Sequence, residues 1–207
     1  MSQPDVERDI AAYFTSIHDE SGSTPLGVGW NGKASQRIRF EQLCRIIDPA
    51  QPYSINDLGC GYGALHDFLI EGGSPPDYAG YDVSEAMIAS ARQYLTGREN
   101  ILLGCSSKPD RVADYSVASG LFNVRMGRTD EDWLKFIIAT LDEMNRFSSK
   151  AFSFNALTTY SDAEKMQPDL YYADPLFLFD HCKRHYSRNV ALLHDYEIYD
   201  FTILVRK

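Results

Sequence analysis

Residues 53–63 read Tyr53-Ser54-Ile55-Asn56-Asp57-Leu58-Gly59-Cys60-Gly61-Tyr62-Gly63, and this stretch decides the fold. Its first part has the pattern of a short strand ending at Asp57. Its glycines then break the strand, and Leu65, Phe68, Leu69 and Ile70 follow with helical spacing. Glycines between a strand and a helix permit a tight turn and let a ligand come close to the backbone. The helix that follows presents unpaired N–H groups at its start.

Strand and helix patterns alternate downstream. YAGYDV at 78–83 is strand-like, and Ser84 caps the helix SEAMIASARQYL. ILLG at 101–104, YSVASG at 115–120 and AFSFNAL at 151–157 read as further strands. Thr129 and Asp132 form a capping pair for a helix whose apolar face is Trp133, Phe136, Ile137, Leu141 and Met144. Asp174 and Pro175 suit the N-cap and first position of another helix. The closing runs VALLHDY and YDFTILVRK are joined too tightly for a helical crossover, so they pair antiparallel. The expected fold class is α/β: a doubly wound, seven-stranded, mostly parallel sheet with a C-terminal antiparallel hairpin.

Upstream, residues 5–18 have a helical apolar stripe. A glycine-rich loop at 21–33 precedes a second helix that Ser35 opens and Pro49 and Pro52 stop. We therefore expect one domain over 1–207, with 1–50 a helical N-terminal extension or lid and 51–207 the core.

Composition narrows the partners. The 207 residues carry a formal net charge of −9, which repels phosphate backbones, so nucleic acid is not an expected partner. No run of 18 apolar residues exists, so no membrane role is expected. The four cysteines form no C-x-x-C pair and read as reduced thiols of a cytoplasmic protein.

Two cofactor classes compete for the glycine turn. Gly59, Gly61 and Ala64 fit a dinucleotide fingerprint, with Asp82 at the place of a ribose-binding acid. A pyrophosphate would then lie near Asp57, an unfavourable pairing. S-adenosylmethionine has no phosphate and carries sulfonium and ammonium cations, so it tolerates that carboxylate.

The motif Asp57-Leu58-Gly59-Cys60-Gly61-Tyr62-Gly63, followed by Gly80-Tyr81-Asp82-Val83-Ser84, resembles the signature of class I S-adenosylmethionine-dependent methyltransferases. The resemblance covers about residues 54–207, closing hairpin included. It implies that Gly59, Gly61 and Gly63 pack against S-adenosylmethionine and that Asp82 binds its ribose hydroxyls. Asp57 would organise the methionine end, and Cys60 and Val83 join the cofactor set within the same motifs. Many members place an acid after the third strand to contact adenine. This chain has Gly104-Cys105-Ser106-Ser107 there, which leaves Ser106 to meet the adenine edge. Trp30, in the glycine-flanked loop, can close over the cofactor, and Arg39 can reach the methionine carboxylate.

The segment after the fourth strand should adjoin the transferring methyl. Asn123 can hold an acceptor oxygen or nitrogen there, and Arg125 an acceptor carboxylate or phosphate. His181 can act as a base. Its i,i+4 partner His185 has metal-binding spacing, but no third ligand is evident, so no metal is expected. The expected activity is methyl transfer to a small molecule, with oxygen as the acceptor atom. A protein or RNA methyltransferase, a nicotinamide-dependent oxidoreductase and a non-catalytic cofactor-binding module are the alternatives.

Overall fold

The computed structural model describes residues 3–28, 32–73 and 75–207. Two helices come first, α1 (Gln3–Ser21) and α2 (Lys33–Leu43), with a short 3-10 helix Leu26–Val28 between them. The core then runs β1 (Ser54–Leu58), α3 (Ala64–Glu71), β2 (Asp77–Asp82), α4 (Glu85–Tyr94), β3 (Ile101–Cys105) and β4 (Ala113–Ala118). It continues through α5 (Asp130–Arg146), β5 (Ser148–Leu157), α6 (Pro175–His185), β6 (Asn189–Leu193) and β7 (Asp200–Arg206).

All seven strands join one sheet in the order β3-β2-β1-β4-β5-β7-β6. β1 to β5 pair in parallel, whereas β7 runs antiparallel to both β5 and β6. The expected hairpin is therefore present. The chain steps outward from β1 to β3 and then returns to lay β4 on the other side of β1. That reversal is a topological switch point, where such sheets open a crevice beyond their carboxyl ends. Register brings the ends together, with Leu58 opposite Tyr81 on one side and Ala118 on the other.

Local chemistry accounts for the helix starts. Ser84 Oγ accepts from the Met87 amide at 3.2 Å, and Thr129 Oγ1 from that of Asp132 at 3.2 Å. Asp174 Oδ1 accepts from the Leu176 and Phe177 amides ahead of Pro175 at the first position of α6. Trp133, Ile137, Leu141 and Met144 of α5 are fully buried against Phe152 and Phe154 of β5. On the other sheet face, Phe40 and Leu43 of α2 pack with Leu65 and Leu69 of α3.

Boundaries differ from the sequence reading in two informative places. β5 starts at Ser148, because Ser148 Oγ donates inward to Met144 O at 2.6 Å and meets Ser116 Oγ at 2.7 Å. α2 ends at Leu43 and tightens into a 3-10 turn that buries Ile46, after which Ile47 is extended.

Candidate functional site

A cavity of about 300 Å³ lies beyond the carboxyl ends of β1, β2 and β4, under α1 and α2. The glycine turn forms its floor. The Gly59 and Cys60 amides both donate to Tyr81 O, at 2.8 and 3.1 Å, which ties the turn to β2. Gly61 has φ +55, and a Cβ there would come within 2.7 Å of Val28 Cγ1. Glycine is thus required by the backbone and by the 3-10 helix folded over it. Gly63 also has positive φ, but it faces Leu95 and does not border the cavity. Its positive φ turns the chain into α3.

Two buried acids flank the turn. Asp57 is 2% exposed, and Tyr78 Oη donates to its Oδ2 at 2.6 Å. Burial pushes the Asp57 carboxyl up to about 7, against the opposing effect of the Tyr78 bond and with help from the nearby Asp82 charge. Asp82 accepts from the amides of Gly61 at 3.0 Å and Ser84 at 2.9 Å. Burial raises its pKa as well, and those backbone bonds counter the rise. The acid at the end of β2 therefore holds the glycine turn and the start of α4 while facing the cavity.

Cys60, Val83 and Ser106 also border the cavity. Ser106 Oγ donates to Lys108 O at 2.8 Å, which fixes the turn after β3. Trp30 lies outside the described residues. Ser119, immediately after β4, borders the cavity with a buried Oγ that has no partner among the described residues. An orphaned oxygen in the same cavity as a glycine turn and two carboxylates fits a ligand with cationic and hydroxyl groups.

Arg39 borders the cavity too, but its guanidinium is engaged. Nε and Nη2 donate to the two oxygens of Asp200 at 2.8 and 2.6 Å, and Nη1 donates to Ser35 O. Asp200 also accepts from Asn155, whose Oδ1 takes the Gly120 amide at 2.8 Å. A buried polar chain thus runs from α2 through β7 and β5 to the turn after β4. Asn123 is 7% exposed and borders the cavity. Its Oδ1 accepts from the Leu157 amide at 3.2 Å. Its Nδ2 has no hydrogen-bond acceptor among the described residues.

No family model matches the chain. Over 163 residues it is 59% identical to a Mycobacterium tuberculosis protein named "Putative methyltransferase", spanning 79% of this chain and 98% of that protein. The chain belongs to the methyltransferase family. A shorter stretch of 65 residues, 30% of this methyltransferase, is 46% identical to 25% of trans-aconitate 2-methyltransferase from Acidovorax ebreus. Among solved structures, magnesium protoporphyrin IX methyltransferase from Synechocystis PCC 6803 with bound S-adenosylmethionine superposes with a TM-score of 0.69 at 11% identity. It covers 98% of this chain and 97% of that one. The 1,6-didemethyltoxoflavin-N1-methyltransferase of Burkholderia thailandensis gives a TM-score of 0.66 at 12% identity, covering 100% and 91%. Identities this low speak for the shared fold.

Two residues expected in this methyltransferase's site are elsewhere. Arg125 does not border the cavity. It pairs with Asp130 and donates through Nε and Nη2 to Pro168 O, at 3.2 and 2.8 Å. It pins the 167–170 segment, whose Gln167 and Leu170 do border the cavity. His181 is also remote from the cavity. It stacks on His185 with ring centres 4.4 Å apart and lies 3.3 Å from Tyr186 Oη, on the outer part of α6. Their positions after β4 and β5 followed from the strand and helix patterns, which could not say which way the side chains pointed.

Other lining residues were not singled out in the sequence. Glu7, Ile10 and Phe14 of α1, Gln36 of α2, Thr140 of α5 and Ser119 belong here. The spacing of residues 7, 10 and 14 marked a helix face, though nothing local said what it faced. Ser119 alone carried a signal, since it directly follows β4.

Proposed function

We propose that this chain transfers the methyl group of S-adenosylmethionine to an oxygen of a small-molecule acceptor in a cytoplasmic setting. Residues 1–50 act as a lid on a single domain whose core is 51–207. The carrying observation is the meeting of the glycine turn, Asp57, Asp82 and the unpartnered Ser119 Oγ in one cavity that continues to Asn123. When bound, S-adenosylmethionine supplies an electrophilic methyl whose carbon–sulfur bond breaks, its electron pair staying on sulfur, as the acceptor's lone pair bonds to the carbon.

The chain's own residues hold and orient. Asp82 is suited to accept from ribose hydroxyls while it keeps the turn in place. Asp57 and Ser119 suit the cationic methionine end. Asn123 Nδ2 can donate to the acceptor oxygen and leave a second lone pair directed at the methyl. Orientation of this kind supplies about 7–11 kcal/mol in favourable cases, with the acceptor hydroxyl entering as its oxyanion and its proton left in bulk solvent. Ile10 and Phe14 of α1 give the cavity an apolar wall.

A nicotinamide dinucleotide would set its pyrophosphate beside the buried Asp57, and a protein or RNA chain would have to pass beneath α1. α1 is fastened at two points along its length, by Arg128 to Asp9 and by Thr15 to Ser84, which favours a small acceptor. Free thiols at all four cysteines suit a reducing compartment. Calorimetric titration tests the reading: S-adenosylmethionine and S-adenosylhomocysteine should bind and NADH should not. Binding of NADH alone would refute it.

A further inference from the structure

α1 lies across the cavity in a fixed direction. Near its start, Arg128 donates to Asp5 O at 3.1 Å and to Asp9 at 2.8 Å, which holds those turns beside the segment after β4. Farther along, Thr15 Oγ1 meets Ser84 Oγ at 2.8 Å, which holds the later turns beside the segment after β2. Glu7 therefore borders the cavity at the β4 end, with Asn123, Val124 and Leu170, while Phe14 borders it toward Asp82.

The charges at this end are one-sided. Glu7 has no ion-pair partner among the described residues. Arg39 is the one cationic side chain among the described lining residues, and Asp200 neutralises it through two hydrogen bonds. Arg125 and Arg128 lie nearby but pair with Asp130 and Asp9. Ile10, Val124, Leu157 and Leu170 make much of the remaining wall at this end apolar, with the neutral Gln167 of the Leu170 segment also bordering it. Asn123, more than nine-tenths buried, borders the same space.

We infer that the methyl acceptor has an apolar body and carries an amine, bound as a cation by Glu7, with no carboxylate or phosphate. This rests on the methyltransferase reading above and adds the acceptor's chemical class. An anionic acceptor would meet Glu7 at close range without a compensating cation, and burying an unpaired charge in an apolar space is costly. An ammonium would form a charge-assisted hydrogen bond to Glu7 while its body displaces water from the apolar wall.

The test titrates protein saturated with S-adenosylhomocysteine with matched pairs of one-ring phenols, one of each pair ending in a primary amine and the other in a carboxylate. Tyramine with 4-hydroxyphenylacetate is such a pair. The amines should bind at least about tenfold tighter than the acids, the size of one charge-assisted hydrogen bond. Glu7→Gln should remove most of that preference and Glu7→Lys should reverse it, with affinity for S-adenosylhomocysteine unchanged in both. Acids binding as tightly as amines, absence of binding by every amine, or a preference that survives Glu7→Gln would overturn the inference. Failure of S-adenosylhomocysteine to bind in the first step would instead count against the methyltransferase reading itself.

Discussion

Asp57 makes cofactor binding depend on pH across the neutral range. Its carboxyl is buried, accepts one hydrogen bond from Tyr78, and is pushed up to about 7. A ligand with sulfonium and ammonium groups binds better to the ionised form, so binding draws a proton off Asp57. With a pKa of about 7, roughly a tenth of the carboxyls are ionised at pH 6 and roughly nine tenths at pH 8. Affinity for S-adenosylmethionine should therefore rise about tenfold between those values. Calorimetry at pH 6 in buffers of different ionisation enthalpy should show release of nearly one proton per ligand bound. His66, which packs on Tyr78, is shifted in the opposite direction, since burial lowers its pKa. Asp57→Asn should abolish both the slope and the proton release. The same carboxyl affects stability with the opposite sign. Its pKa is raised above the unfolded value of about 3.9, so between about pH 4 and pH 7 the folded state holds a proton that the unfolded state has lost. Stability from this group is greatest at the acid end, falls as pH rises through 7, and then levels off. An affinity that is flat from pH 6 to 8, or a slope that persists in Asp57→Asn, would refute the reasoning.

Three further outcomes follow from the geometry. Asp82→Ala should weaken cofactor binding about 10- to 150-fold by titration, and should lower the melting temperature because the Gly61 and Ser84 amides lose their acceptor; unchanged affinity in folded protein would make Asp82 a purely structural acid. Arg39→Ala should cost about 3–5 kcal/mol in urea unfolding, since it strands the fully buried Asp200, and an Arg39→Met, Asp200→Leu pair should recover much of the loss; a single-variant cost below about 1 kcal/mol would contradict a buried pair. Arg125→Ala should raise the acceptor KM by freeing the 167–170 segment while cofactor affinity holds, and His181→Ala should change neither; a loss of turnover in His181→Ala would return that histidine to the chemistry.

The sequence by itself determined the elements and the cofactor turn. Strand and helix patterns, the caps Ser84, Thr129 and Asp174, and the glycines between Asp57 and Ala64 all act within a few residues, so their effects can be read locally. The short link between the closing runs likewise required an antiparallel pair. Only the tertiary structure decided where long side chains were used. Arg39 has the reach to meet a carboxylate, and the one it meets is Asp200, 161 residues away on β7. Arg125 follows β4 as expected, yet Pro168, 43 residues on, takes its guanidinium away from the cavity. α1 carries a helical stripe in any setting, but the bonds from Arg128 and Thr15 turn Glu7 into part of the cavity wall. Local spacing settles backbone form because it depends on neighbouring dihedrals and caps. The fate of a charged side chain depends on which distant partner folding brings within about 3 Å of it, and local spacing does not encode that distance.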